Sequence, residues 1–239
     1  YDLGMDSIAI TEHGNLFSMI PFYKEAKKSG IKPILGCEIY VAVKKHTVKK
    51  QVLDHTGKKW GYHHLVLLAM NQQGYKNLLR LSSIGYLEGF YYRPRVDKDL
   101  LLQYNEGLIA TSACLAGEVT SYAAAGDYDK AKEAAISYQK IFPGRFYLEL
   151  QNHQIVQEQA AHKILKKLST ELDIPLVATN DCHYCLKDDS DAHDTLFCLG
   201  TGKDKSDTNR LKYEPHQFYI KSTDEMYELF KEFPGAIEN

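Results

Sequence analysis

Six runs rich in Val, Ile, Leu and Tyr divide this chain, at Ile8 to Thr11, Pro33 to Val43, Leu65 to Met70, Leu108 to Thr111, Phe146 to Leu150 and Pro175 to Thr179. Runs of this length and composition suit buried strands. Between most of them lie helical patterns. Ile20 to Gly30 ends in basic residues and a glycine, as a helix C-terminus should. Tyr75 to Leu87, Tyr128 to Ile141 and Ile155 to Leu172 carry apolar residues at three-to-four spacing. Strands alternating with helices predict a parallel α/β domain. No Gly-x-Gly-x-x-Gly turn is present to support a dinucleotide fold, and polar groups at many strand ends favour a barrel.

Those strand ends carry the candidate chemistry. Asp181-Cys182-His183 directly follows the apolar run Ile174 to Thr179, and Glu12-His13-Gly14 follows Ser7 to Thr11. A carboxylate and an imidazole after each of two strands suggest one shared centre, because α/β proteins gather their functional groups where strands end. Glu38 lies inside Leu35 to Tyr40, a run too apolar for an idle carboxylate: an ionised group there needs a partner or a metal. His64, in Tyr62-His63-His64, and Cys114, just past a strand, complete a set of N, O and S donors that zinc accepts and manganese or iron accepts in part. His64 precedes its strand, whereas the other histidines follow theirs.

Composition narrows the class. With 239 residues, 44% of them hydrophobic and 25% charged, the chain has an ordinary globular make-up with room for a substantial core. No apolar run approaches the roughly 20 residues that cross a bilayer, and no leader resembles a signal peptide, so no membrane role and a cytoplasmic location are expected. The 5 cysteines are odd in number and read as reduced thiols. Cys182 and Cys185 form a Cys-x-x-Cys with no second pair, which argues against a zinc ribbon. A formal net charge of -2 argues against gripping nucleic acid unaided, and Lys44 to Lys50 reads as a solvated loop. Both ends look cut, so the chain reads as an interior piece of a longer protein. From Thr201 a polar loop leads to a short strand at Phe218 to Ile220, then to a helix capped by Ser222 with Glu225 in a capping box.

Ile10-Thr11-Glu12-His13-Gly14-Asn15-Leu16, Gly30 to Glu38, His64 to Ala69, Ser112 to Glu118, Ala178 to Tyr184 and Thr201-Gly202-Lys203 together resemble the PHP (polymerase and histidinol phosphatase) domain of bacterial DNA polymerase III alpha subunits. The likeness runs nearly the whole length in the family's order. Tyr91 to Asp97 and Gln217 to Lys221 resemble the replicative polymerases more than the free-standing phosphatases.

The resemblance implies a distorted TIM-like (β/α)7 barrel of the PHP type with its first strand missing, over residues 1–200, with 201–239 as the C-terminal part of the domain leading toward a polymerase core. It implies a centre of up to three divalent ions, zinc first and manganese or iron as alternatives, and six of the family's nine metal positions match as His13, Glu38, His64, Cys114, Asp181 and His183. The remaining three belong to an upstream His-x-His strand and a nearby acid. Glu12 stands where the family commonly has Asp and reads as a supporting residue. Asp181, His183 and His13 are the catalytic candidates.

The implied function is a metal-dependent 3'-5' exonuclease or phosphoesterase module of a DNA-directed DNA polymerase, a nucleotidyltransferase that uses magnesium in its full chain. Its expected partners are DNA at the primer 3' end and other replicase subunits. A structural platform for the polymerase core and a free-standing phosphatase are the alternatives. Taken singly, each residue has a plainer reading: His13 and His183 as hydrogen-bonded histidines, Cys114 as a small buried hydrophobe, Glu38 as a salt-bridge partner. His193 reads as structural, and His46, His55, His153, His162 and His216 as surface residues. Arg93 and Arg95 read equally as contacts to DNA or to a neighbouring domain and as ordinary ion-pair partners.

Overall fold

The computed structural model describes residues 3–53, 57 and 61–239. Its strands are β1 (Ser7–His13), β2 (Lys32–Ala42), β3 (Tyr62–Ala69), β4 (Arg95–Val96), β5 (Leu108–Thr111), β6 (Phe146–Gln151) and β7 (Leu176–Thr179). Its helices are α1 (Met19–Lys28), α2 (Gln72–Leu87), α3 (Lys98–Gln103), α4 (Glu118–Ala124), α5 (Tyr128–Ile141), α6 (Val156–Leu172), α7 (Ser190–Thr201), α8 (Thr223–Leu229) and α9 (Pro234–Glu238). The six predicted strands and the five predicted helices all form, within a few residues at their ends. The segment Phe218 to Ile220 does not form a strand; it makes a single bridge, Tyr219 to Tyr184.

The sheet runs β1-β2-β3-β5-β6-β7, with β4 paired to β2. It is curled and mixed, which corrects the all-parallel expectation: β3 is antiparallel to both β2 and β5, while β1–β2, β5–β6 and β6–β7 are parallel. A parallel return needs a crossover, usually a helix. The sequence from Val43 to Gly61 is polar and without helical pattern, so the chain comes back reversed. Reversal sets the N-terminal end of β3 beside the C-terminal ends of its neighbours. Beyond the stretch where β1 pairs, the same edge of β2 is taken by β4, with Tyr40 opposite Arg95 and Val41 opposite Val96.

Helix ends follow their local chemistry. Asn71 caps α2 through a 3.0 Å bond from Gly74 N, and Asp97 caps α3 through Leu100 N at 3.1 Å. The Ser222–Glu225 box caps α8 as expected, with Ser222 N donating to Glu225 at 2.8 Å and Glu225 N to Ser222 at 3.3 Å. Beneath the helices, Cys37, Leu65, Leu67, Leu78, Leu81, Leu108, Leu148, Leu150, Leu165 and Leu168 form the core, joined by Phe230 and Ala236 from the C-terminal helices. Each fully buried leucine contributes roughly 1.5–3 kcal/mol.

Two expected surface groups are structural. Arg95 is only 1% exposed, and its guanidinium donates to the carbonyls of Gly89, His46 and Val48, so it is not available to DNA. His46 is half-buried, with Nδ1 2.6 Å from Asp97 Oδ2, which ties down the basic loop. His55 lies outside the described residues. All 5 cysteines are free.

At Gly74 an added Cβ would lie 1.8 Å from the backbone oxygen of Gly107. Backbone on that side cannot rotate away, so α2 would have to move off the loop before β5. Gly74→Ala is expected to destabilise the domain by about 1–3 kcal/mol, read as a lower urea midpoint with an unchanged m-value.

Candidate metal centre

Strand register brings the six predicted residues together. Glu38 and Tyr40 share a face of β2, His64 lies opposite Tyr40, and His13 lies opposite Glu38. Side chains alternate along a strand, so Glu38 and His64 project to the same side while His63 turns to the other, toward Tyr122. Cys114 arrives from the loop after β5, which folds back so that His64 N donates to Ala116 O at 3.0 Å. Gly117 permits that fold, since a Cβ there would meet Ser112 O at 1.9 Å. Asp181 and His183 come from the loop after β7.

The donor atoms form two groups, His13–Asp181–His183 and Glu38–His64–Cys114, each with all its atoms within 4.8 Å of one another. Glu38 Oε1 joins them: it lies 2.6 Å from His64 Nδ1 and 3.6 Å from His13 Nε2. Cys114 Sγ is 3.6 Å from the same His64 nitrogen. The His64–Glu38 approach is close but misdirected for an N–H···O bond, and Glu38 Oε1 is left buried without a hydrogen-bond partner among the described residues. His183 Nδ1 donates to the Asp181 carbonyl at 2.7 Å, so its Nε2 carries the lone pair, and that atom too is buried and unpartnered. Converging lone pairs on orphaned O and N atoms beside a thiol are the donor set a divalent cation requires, so the residues fit the metals the family likeness implies.

The electrostatics agree. Burial pushes Asp181 up to about 7, with the carboxylates of Glu38 and Glu149 adding to the effect. Burial likewise pushes the Cys114 thiol well up, reinforced by Glu38 and Asp181. His183 falls to about 4, chiefly by burial, which keeps it neutral as a ligand must be. Burial would also raise Glu38, but the His64 contact and the charges of His64, His13 and His183 outweigh it and hold the carboxyl below its usual range.

The surrounding cleft has a volume of about 300 Å³. Several of its neighbours escaped the sequence reading. Glu149 is buried in β6, accepting from Thr111, Thr179 and Gln151; its signal was the one that marked Glu38, an acid inside an apolar run. His153, expected at the surface, is 1% exposed: its Nδ1 faces Glu158 at 2.6 Å, its Nε2 donates to Asn180 O at 2.8 Å, and its ring stacks on Phe218 at 3.9 Å. It lies two residues past the end of β6, as Asp181 lies past β7, and so carried the same kind of strand-end signal. Tyr213 lies 4.4 Å from the His183 ring, and burial pushes its phenol up to about 12, with Asp181, Cys114 and Glu38 adding to that. No local pattern marked Tyr213. Glu12 turns away from the donors and binds Ser18 N and Oγ at 2.9 and 2.8 Å, bracing the loop before α1.

The family model of the PHP domain matches residues 1–153. The chain belongs to the PHP domain family. This PHP domain is 53% identical to the DNA polymerase III subunit alpha of Borreliella burgdorferi, over 98% of this chain and 20% of that protein. It is 44% identical to the same subunit of Helicobacter pylori strain 26695, over 100% of this chain and 20% of that protein. To that of Treponema pallidum it is 43% identical, over 99% of this chain and 20% of that protein. The PHP domain thus spans about a fifth of the length of the curated relatives it matches.

Asp181 gives a signed pH dependence. In metal-stripped protein its folded value of about 7 stands above the ordinary 3.8, so the folded state holds a proton the unfolded chain has released. The stability it lends is full below pH 3.8 and is lost as pH rises through about 7. Asp181→Asn mimics the protonated form and is expected to raise the melting temperature in EDTA more at pH 8 than at pH 4. Calorimetry at the two pH values checks this, and equal shifts would refute it.

Proposed function

We propose that this PHP domain is a metal-dependent phosphodiesterase module of a replicative DNA polymerase chain, acting as a 3'-5' exonuclease on the primer end. The observation that carries the reading is the meeting of two three-donor groups at Glu38 Oε1 in one open cleft. Glu38, His64 and Cys114 would hold one ion, and His13, Asp181 and His183 another, with zinc suited to the mixed N, O and S set and manganese or iron as alternatives. Ions held there would activate a water and offset charge on the phosphate and leaving oxygen. The protein's own part is to keep His183 neutral, to exclude water from Glu38, and to present Asp181 as a group that releases its proton near neutral pH. Polymerisation, with its magnesium, belongs to the rest of such a chain, as do contacts with duplex DNA and other replicase subunits. Among the described residues no helix is long and apolar enough to cross a membrane, and a cytoplasmic setting accords with the proposed role.

A second reading, a platform for the polymerase core, has its own support in an exposed apolar face. Phe17 is 80% and Leu87 81% exposed, and the Phe17 ring lies 6.4 Å from Tyr86, which stacks on Phe90. The two readings separate in the full-length polypeptide. Asp181→Asn is expected to slow release of a mismatched 3' nucleotide by about 100-fold or more, with DNA synthesis retained. Nuclease activity indifferent to that substitution would rule out this cleft as its source; bound metal without any nuclease activity would leave the platform.

A further inference from the structure

Residues 211–214 cross the mouth of the cleft, where Leu211, Lys212, Tyr213 and Glu214 join the metal donors in its lining. The Tyr213 ring is held by aromatic contacts from three separate segments: His183 at 4.4 Å, His193 and Phe197 of α7 at 5.1 and 5.5 Å, and Phe218 at 5.0 Å. A side chain fixed on so many sides has little ordering left to lose on binding. Among the described residues its hydroxyl makes no hydrogen bond, and it is not sealed from solvent. The hydrogen-bond donors of His153 and Gln151 in the same lining already serve Asn180 O and Glu149, whereas this O–H is an uncommitted donor beside the candidate metal ligands. Next to it, Lys212 is exposed at the mouth, and among the described residues its ion pair is a loose one, Nζ to Glu214 Oε1 at 3.7 Å.

We propose that Tyr213 and Lys212 contact the substrate: the Tyr213 O–H donates to a phosphoryl oxygen at the donor set, and the Lys212 ammonium pairs with a second phosphate at the mouth. The cleft therefore takes a strand bearing more than one phosphate in preference to an isolated phosphate ester, and Glu214 tempers that preference by competing for Lys212. This deepens, and rests on, the phosphodiesterase reading above. Donors of these two kinds are the ordinary means of holding a nucleic-acid backbone, and the exposed one should act through a salt-dependent attraction.

The test uses the metal-loaded full-length polypeptide with two substrates, a 3'-mismatched primer strand and thymidine 5'-(p-nitrophenyl phosphate), which carries one phosphate. Tyr213→Phe is expected to lower kcat/KM on both by about 10-fold, as loss of a hydrogen bond to a charged group does. Lys212→Gln should raise KM for the primer alone, by an amount that shrinks with added salt, and Glu214→Gln should lower it. Binding of thymidine 5'-monophosphate, measured by calorimetry, should weaken about 10-fold in Tyr213→Phe with metal content unchanged. Tyr213→Phe without effect on turnover, Lys212→Gln acting equally on both substrates, or metal lost from Tyr213→Phe would each overturn the assignment. Should Asp181→Asn leave turnover intact, the phosphodiesterase reading falls, and the monophosphate binding decides the Tyr213 contact by itself: unchanged affinity overturns it, weakened affinity upholds it.

Discussion

A carboxylate buried within an apolar strand costs several kcal/mol unless opposite or ligating groups compensate it, and Glu38 imposes that demand on the whole sheet. It lies in β2 between β1 and β3, so compensation has to come across the strand pairs, from His13 on one side and His64 on the other. Slipping β3 by one residue would turn His64 to the helix side and bring His63 in its place. The polar cluster therefore specifies register, while the leucines around it supply the bulk of the stability without choosing between registers.

The second half of the centre is set by a different kind of contact. Asp181 sits at φ 43, an uncommon conformation for a non-glycine residue, and its loop is fixed from below and behind. His153 bonds Asn180 O, and the Asn180 side chain donates to the carbonyls of Gln217 and Tyr219 at 3.1 and 2.6 Å and accepts from Lys221 at 3.1 Å. His183 N donates to Phe218 O at 2.8 Å. Buried polar networks of this kind hold one geometry firmly because every broken bond strands a partner. The residues from Gln217 to Lys221, of which Phe218 to Ile220 read in sequence as a short strand, act here as the bed on which Asp181 and His183 rest.

Much of this was legible beforehand, for physical reasons that differ by residue. Strand and helix positions follow from local periodicity, and the candidate donors from the cost of placing polar groups in or beside apolar runs. Applied evenly, the same reasoning would have found Glu149 inside its strand and His153 at a strand end. It could not have found Tyr213, whose place depends on a polar tail folding back over residues distant in sequence. The sense of β3 was also hidden, and with it the reason why His64 lies near the start of its strand, whereas His13 and His183 lie at or beyond the ends of theirs.

The sequence by itself determined which residues are the candidate donors and the elements on which they ride, because propensity, periodicity and the penalty for an idle buried charge all act over a few neighbouring residues. Tertiary structure alone decided that six residues spread from His13 to His183 converge on one cleft, which strand runs backwards to allow it, and which aromatic side chain joins them in its lining. Those outcomes rest on strand pairing and loop contacts between segments far apart in the chain, and no local pattern encodes such pairings.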